Sequence, residues 1–176
     1  MKRFILQTLL SAFAIGSICA APPPPPAPPA QLLPYPKALP LALDDNFQFR
    51  KTSIWLNDPK LEKPSINEMI NFNRQRMNYK AILASDRIAR YGYYYTFFWR
   101  TKRPANLTIR FEYRQENLGP HVLAQEHAYD GAKGTVKSEF QVIGDDYQTD
   151  GRVTSWRALL IENGKIVALN QSFLWD

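Results

Sequence analysis

The chain has 176 residues, 45% of them hydrophobic and 13% aromatic, with a formal net charge of +6 and a single cysteine. This composition describes one folded domain of ordinary size and leaves no room for a second. A lone cysteine excludes an internal disulfide and a cysteine-based metal cluster, and the mild positive charge does not by itself identify a partner.

The amino terminus has the pattern of an export signal. Lys2 and Arg3 precede an apolar run over 4–18, and small residues follow that run. Such a run is too short to span a bilayer comfortably, but it is typical of the central part of a signal peptide. We therefore predict a signal peptide over 1–20 and a secreted, periplasmic or cell-envelope protein.

Cys19 allows a second interpretation of the same segment. A cysteine at the end of the apolar run could be lipidated, which would anchor the processed protein to a membrane as a lipoprotein. Ile18 is bulkier than the small residue expected before a lipidated cysteine, which favours simple cleavage. Cleavage, lipidation at Cys19 and an uncleaved anchor all remain open from the sequence.

The next segment, 21–43, is rich in proline and has five consecutive prolines at 22–26. Proline runs favour the extended polyproline II helix, which has no internal hydrogen bonds. We predict that this segment is a linker before a single domain at 44–176. It is either a spacer or a disordered tail.

A helix is predicted over about 66–90. Ser65 and Glu68 have the spacing of a capping box, which marks a helix start near Ile66, and Asn78 is a candidate interruption. On a period of 3.6 residues the apolar positions fall on one face, which we expect to pack on the domain. These positions are Ile66, Met69, Ile70, Met77, Ala81, Ala84 and Ile88.

Two segments, 93–100 and 107–114, have the alternation of β-strands. The residues expected in the core are Tyr93, Tyr95, Phe97 and Trp99 in the first segment and Leu107, Ile109, Phe111 and Tyr113 in the second. The opposite faces carry Tyr94, Thr96, Phe98 and Arg100, and then Thr108, Arg110, Glu112 and Arg114. We expect the face with Arg110 and Glu112 to be in contact with water.

Further strands are predicted at 47–50, 53–56, 122–129 and 135–143, the last two separated by the turn residues Asp130, Gly131 and Gly134. The final two strands form a predicted hairpin about Asn163 and Gly164, a pair that favours a two-residue turn. That turn would pair Glu162 with Lys165 and Leu160 with Val167.

Consecutive strands without intervening helices predict a mainly β domain, an antiparallel β-sandwich with one N-terminal helix. The pattern over 91–175 resembles an immunoglobulin or fibronectin type III-like sandwich. The resemblance concerns the fold alone and implies no functional residue, because the cysteine pair typical of immunoglobulin domains is absent. A partly open β-barrel is the alternative.

Candidate catalytic residues are few. His121 and His127 lie about 20 Å apart if one strand joins them, which is too far to share a metal ion. We interpret both as surface or rim histidines. Asp145, Asp146 and Asp150 match no recognised calcium loop and are interpreted as turn residues. We therefore predict no catalytic residue, no metal and no cofactor.

The most unusual segment is 74–103, in which cations and aromatic residues are interleaved. Its basic residues are Arg74, Arg76, Lys80, Arg87, Arg90, Arg100, Lys102 and Arg103, against one acid, Asp86. In a cytoplasmic protein this would indicate nucleic acid, but export argues against that partner. Tyr94, Phe98 and Arg100 are candidate contacts for an envelope ligand, and packing beneath the helix is the competing interpretation of the two rings.

The sequence therefore favours an exported, non-enzymatic module of the cell envelope or of secreted material, which acts by binding or assembly. A carbohydrate-binding module and a carboxylate-dependent hydrolase are the alternatives. The expected partner is an envelope polysaccharide or another envelope protein. Membrane contact is expected only through the signal or a lipidated Cys19, and the sequence does not decide the oligomeric state.

Overall fold

A computed structural model describes residues 31–58 and 66–175. The predicted signal peptide, Cys19 and the first part of the predicted linker lie outside the described residues. The elements are β1 Gln31–Leu33, β2 Phe47–Asn57, α1 Glu68–Met77, α2 Ala84–Ile88, β3 Gly92–Gln115, β4 Leu123–Ile143, α3 Asp145–Asp150, β5 Val153–Glu162 and β6 Lys165–Gln171.

The strands form one open antiparallel sheet. Its order is β1-β4-β3-β5-β6, and β2 also pairs with β3. β3 is 24 residues long, so one of its edges pairs with β2 over residues 92–101 and then with β5 over residues 108–115. The prediction of a mainly β, antiparallel domain is confirmed.

The strands are longer than the sequence predicts. β2, β3 and β4 each join two segments that the sequence analysis separates. The pairing of β3 with β4 shifts register between Thr101 and Leu107. Gly131 and Gly134, on β4 beside that region, have positive φ angles of 59° and 80°. Glycines in this conformation mark bulges that bend a strand, and here they do not end it.

The bend folds the sheet so that its halves face each other. The rings of Phe111 on β3 and Phe140 on β4 are 5.3 Å apart, although their strands belong to one sheet. His127 lies 4.6 Å from the ring of Phe140 on its own strand, and Gln125 Nε2 donates to the Gln141 carbonyl at 2.7 Å. We call β2 with residues 92–101 and 134–143 the front layer, and the rest of the sheet the back layer.

The core lies between the two layers. It contains Phe47, Tyr95, Phe97, Trp99, Leu107, Ile109, Phe111, Tyr113, Phe140, Val142, Ala158, Leu160, Val167 and Ala168. The predicted inward faces of 93–100 and 107–114 are therefore confirmed, except that Tyr93 is only partly buried. Trp99 reaches a polar partner inside the core, since its Nε1 donates to Ser138 Oγ at 2.9 Å.

The prediction of a wet face on the second half of β3 is wrong. Arg110 is 8% exposed and Glu112 is 2% exposed. Glu112 accepts from Arg157 Nε at 2.6 Å and pairs with Arg110 Nη1 at 3.5 Å. Arg110 also pairs with Glu126, so alternating charges satisfy one another across three strands.

Both ends of the described chain cover this charged face. The Lys37 carbonyl accepts from Arg110 Nη1 at 2.8 Å. At the other end, the ring of Trp175 lies 4.4 Å from the Arg114 guanidinium and 4.8 Å from that of Arg157. Segments distant in sequence thus cover part of a face whose composition is polar, and Glu112 at its centre is buried.

Part of the predicted linker lies on the domain. β1 pairs with β4, and Leu41 forms a parallel bridge with Ile166 on β6. Ile166 donates its backbone N–H to the Pro40 carbonyl at 2.9 Å, and Leu39 packs against a small buried cluster on the back layer. Residues 31–43 therefore extend and cover the sheet.

The predicted two-residue hairpin turn is confirmed. Asn163 and Gly164 have φ angles of 50° and 73°, and Glu162 pairs with Lys165. The next predicted pair is wrong, because a bulge shifts the register and Leu160 pairs with Ala168. A turn fixes the first pair of a hairpin, whereas packing on the core decides where a bulge follows.

The region of the predicted helix contains two short helices, α1 and α2. The side chain of Asn67 caps α1 by accepting from the Met69 N–H at 3.0 Å, and the helix begins at Glu68. This start is later than the predicted one near Ile66, and the predicted cap, Ser65, lies outside the described residues. Neither helix contains a buried residue. The expected burial of the apolar face is therefore wrong, and of its positions only Ala81 is buried.

Within residues 31–58 and 66–175, no helix has the length and hydrophobicity needed to cross a lipid bilayer.

Candidate binding groove

A groove of about 490 Å³ lies between α1 and the outer face of the front layer. Asn73, Arg76 and Met77 of α1 form one wall. The floor is built from the three neighbouring strands β2, β3 and β4. A cavity of this size matches the range found for small-molecule and cofactor sites.

Strand register determines which side chains form the floor. Directly opposite residues in antiparallel strands share one face, with Cβ atoms about 5 Å apart. Tyr94 on β3 pairs with Trp55 on β2 and with Gln141 on β4. The next row along the same face contains Ser53, Thr96 and Glu139. The floor therefore has two adjacent aromatic rings beside a row of hydroxyl and carboxylate groups.

Arg90 holds the helical wall in place. Its Nη1 donates to the Met77 carbonyl at 3.0 Å and also to the Tyr79 carbonyl, at the carboxyl end of α1. The Arg90 carbonyl accepts from Asn57 Nδ2 at 2.9 Å and from the Tyr94 hydroxyl at 2.8 Å. One arginine thus joins α1 to the ends of β2 and β3, which connects the helical wall to the floor of the groove.

The two aromatic side chains of the floor differ in their polar groups. The hydroxyl of Tyr94 is occupied by Arg90, and burial raises the pKa of the phenol, which keeps it neutral. The Nε1 of Trp55 is buried and has no hydrogen-bond partner among the described residues. Tyr94 and Trp55 therefore both contribute rings to the groove, and the buried Nε1 of Trp55 is a donor without a partner among the described residues.

The groove carries more positive than negative charge. Arg76 and Arg90 line it, and the carboxylate in its described lining is Glu139. Lys137 Nζ pairs with Glu139 Oε1 at 2.6 Å, and both side chains are about half exposed. Such a lining suits a ligand with hydroxyl groups and acidic substituents, because its cations outnumber its carboxylates and the side chains of Ser53, Thr96 and Gln141 can hydrogen-bond.

The residues predicted as ligand contacts separate into two positions. Tyr94 lines the groove, whereas Phe98 and Arg100 lie further along the same face and are not part of the lining. Phe98 is flanked by Lys51 and Lys137, and Arg100 is exposed. The structure therefore brings only one of the three predicted contacts into the groove.

Sequence reasoning missed most of the floor. Trp55 and Glu139 come from strands about 40 residues to either side of Tyr94, and neither stands out in its own segment. The available signal was the alternation within β2 and β4, which assigns each residue to a face. The alternation does not give the register between strands, and the register decides which residues become neighbours.

The histidines do not contribute to the groove lining. His121 is half-buried at the end of the sheet, with its ring 5.3 Å from that of Tyr35. The interpretation of His127 as a surface residue is wrong: it is 4% exposed, and its Nε2 lies 2.9 Å from the Glu139 carbonyl. The bend in β4 buries it between the layers.

The acidic cluster forms a short helix rather than a turn. Asp145 and Asp150 are the first and last residues of α3. Burial, together with these two neighbouring carboxylates, raises the pKa of Asp146. Gln115 Nε2 donates to the carbonyls of Asp146 and Gly151, which ties the helix to β3. In the described part of the chain, no group of three or more His, Cys, Asp or Glu side chains could hold a metal ion.

When the chain is compared with known proteins, no family model, curated protein or solved structure matches it.

Proposed function

We propose that this protein is an exported, non-enzymatic module of the cell envelope or of secreted material that binds an envelope component through the groove. The observation that carries the proposal is the pair of adjacent rings, Trp55 and Tyr94, on the floor of a polar groove of about 490 Å³. The predicted signal peptide supports a ligand outside the cytoplasm. Another envelope protein is the alternative partner.

Carbohydrate is the ligand class that the groove favours. Flat aromatic rings can stack on the faces of sugars, and Ser53, Thr96 and Gln141 supply groups that hydrogen-bond to hydroxyls. Arg76 and Arg90 favour sugars with acidic substituents, since guanidinium groups bind carboxylates well. We therefore propose an acidic polysaccharide as the ligand.

The hydrolase alternative has weaker support. Glycoside hydrolysis generally requires two carboxyl groups that face each other across the substrate. The described lining of the groove supplies Glu139 alone, and Lys137 already pairs with it. This geometry supports binding without cleavage.

For the fold, we infer a sandwich of the immunoglobulin or fibronectin type III-like kind. The packing of the front layer on the back layer through Phe111 and Phe140 supports two layers. The partly open barrel would require backbone pairing of β2 with β6. These strands are joined by Asn170 Nδ2, which donates to Thr52 Oγ1 at 2.7 Å. An experimental structure that contained a β2–β6 ladder would decide for the barrel.

The binding proposal can be tested with the full chain and two polymers, a polyuronic acid and a neutral glucan. Calorimetry should detect binding to the acidic polymer. Trp55→Ala should weaken that binding roughly tenfold, the upper range for one aromatic contact. Phe98→Ala is the matched control, because it removes a ring from the same face outside the groove and should leave the affinity unchanged.

Two outcomes would contradict the proposal. Equal affinity of the wild type and Trp55→Ala for the acidic polymer would mean that the groove is not the binding site. Release of reducing sugar ends from the polymer would indicate an enzyme. The midpoint of thermal unfolding, measured for each variant, would show that any loss of binding is not a loss of folding.

A further inference from the structure

The two helices expose an unusual amount of apolar surface. Met69 is 65% exposed, Phe72 is 59% exposed and Ile82 is 84% exposed. We define the helical face as the exposed large apolar residues of 66–88, which contains α1, α2 and the residues beside them: Ile66, Met69, Phe72, Tyr79, Ile82, Leu83 and Ile88. Single exposed apolar residues are common, but a cluster within one short segment usually marks a contact surface.

The apolar residues of the helical face are exposed to solvent and do not line the groove, whereas Met77, which lines it, is not a member of this face. Asn73 and Met77 of α1 line the groove, so this side of the helix is turned towards the front layer. Met69 lies one turn before Asn73, beside the groove wall. Phe72 lies further round the helix from Met77. Both apolar side chains remain more than half exposed to solvent. The hydrogen bonds of Arg90 connect the carboxyl end of α1 to the end of β2, which holds the helix in this position.

Cations surround the apolar residues of this face. Residues 66–90 contain five cations, Arg74, Arg76, Lys80, Arg87 and Arg90, and two acids, Glu68 and Asp86. The carboxylate of Asp86 is occupied by the N–H groups of Ile82 and Leu83, at 3.2 and 3.0 Å. Among the described residues, Arg76, Lys80 and Arg87 form no ion pair.

We propose that the helical face docks on the surface of an anionic phospholipid bilayer. The apolar side chains would enter the boundary between head groups and acyl chains, and Lys80 and Arg87 would contact the phosphates. Apolar side chains that enter the interface and cations that contact anionic head groups both add to the affinity of a protein for such a membrane. A second copy of the chain would present the same positive charge, so charge complementarity favours lipid over self-association.

This proposal is independent of the groove. Phe72 and Met69 do not line it, and neither do Lys80 and Arg87. Docking would hold the domain at a membrane surface by its helices, in addition to any attachment through the predicted leader. Loss of glycan binding would therefore leave the docking proposal intact, and the converse also holds.

Hydrogen–deuterium exchange of the full chain can test docking at the level of the segment. The protein is mixed with vesicles of phosphatidylcholine alone, or of equal parts phosphatidylcholine and phosphatidylglycerol. On the mixed vesicles, exchange in 67–90 should slow, and exchange in the β5–β6 hairpin should not change. The leader can attach the chain to either vesicle, but attachment through the leader does not protect α1 and α2.

Variants separate the two contributions to docking. Met69→Ser with Phe72→Ser should remove the protection and weaken vesicle binding roughly tenfold, because the apolar area that enters the interface is lost. Lys80→Gln with Arg87→Gln should weaken binding to the anionic vesicles roughly fivefold for each charge. Phe173→Ser and Lys165→Gln change an exposed ring and an exposed cation elsewhere, and should have no effect.

Three results would overturn the proposal. The first is protection of 67–90 that the apolar double variant retains. The second is equal protection on neutral and anionic vesicles. The third is protection that appears without lipid as the protein concentration rises, which would assign the helical face to a second copy of the chain.

Discussion

β3 and the two helices α1 and α2 all carry regularly spaced apolar residues, but those of β3 are mostly buried and those of the helices are mostly exposed. Phe97 on β3 is 0% exposed, and Phe72 on α1 is 59% exposed. β3 lies at the centre of a sheet that folds onto itself, so its inner face meets other strands. The helices lie on the outer face of the front layer and bury no residue. Periodicity therefore identifies which residues share a face, but not whether that face has a partner.

The sharpest test of this comparison exchanges one phenylalanine in each region for alanine. Phe97→Ala should lower the free energy of unfolding by about 3–5 kcal/mol, because it opens a cavity between the layers. Phe72→Ala should change it by less than about 0.5 kcal/mol, as for other exposed positions. Denaturant unfolding measures both, and similar losses in the two variants would mean that α1 packs on the domain.

A second test concerns the charged face of the back layer. Glu112→Gln should cost about 3 kcal/mol of unfolding free energy, since Arg110 and Arg157 would lose the charge of a buried partner. Glu139→Gln is the control on the front layer: its pair with Lys137 is half exposed and should contribute at most about 1 kcal/mol. A small loss for Glu112→Gln would mean that water reaches this face.

Alkaline pH should destabilise the core. Burial raises the pKa of Tyr113 from 10.0 to about 12, and burial also raises the pKa of Tyr95. Because ionisation is easier in the unfolded chain, this stabilisation is complete below about pH 10 and is lost as the pH rises through the folded pKa. For Tyr113 the loss is about 2–3 kcal/mol by pH 12.

Stability should therefore fall steeply above pH 10, the ordinary tyrosine pKa, when it is measured by denaturant unfolding at a series of pH values. Tyr113→Phe should flatten this decline, since the buried side chain can no longer ionise. Tyr79→Phe removes an exposed hydroxyl and should leave the curve unchanged. Identical curves for Tyr113→Phe and the wild type would exclude Tyr113 as a source of the decline.

The smallest expected effect is the loss of a helix cap. Asn67→Ala should destabilise α1 locally by about 1 kcal/mol. Global unfolding should not change, because α1 contributes no buried residue to the core. Faster amide exchange confined to 68–77, with an unaltered denaturant midpoint, is the expected result. A shift of the midpoint would indicate that the helix and the sheet unfold together.

Within the strands, the sequence predicts faces better than lengths. The inward positions on β3 follow from alternation, which depends only on the geometry of an extended chain. Gly131 and Gly134 suggest a break, because positive φ angles serve turns and bulges equally well. Only the continuous partner strand β3 decides that these glycines bend β4 and do not end it.

The candidate site was predictable only in part. Tyr94 is found from its own segment, because it is an aromatic residue on the face opposite the core. Trp55 and Glu139 join it through strand pairs that connect distant parts of the chain. Arg90 belongs to a basic run that suggests ligand contact, yet its hydrogen bonds to α1, Asn57 and Tyr94 also make it a support for the groove.

By itself the sequence determines the features that depend on neighbouring residues. These are the mainly β composition, the alternation of β3 and the turn at Asn163 and Gly164. Tertiary structure alone decides the fold of the sheet onto itself, the burial of Arg110 and Glu112, and the exposure of the apolar face of α1. The physical reason is that burial depends on which distant segment covers a face, and no local pattern records that segment.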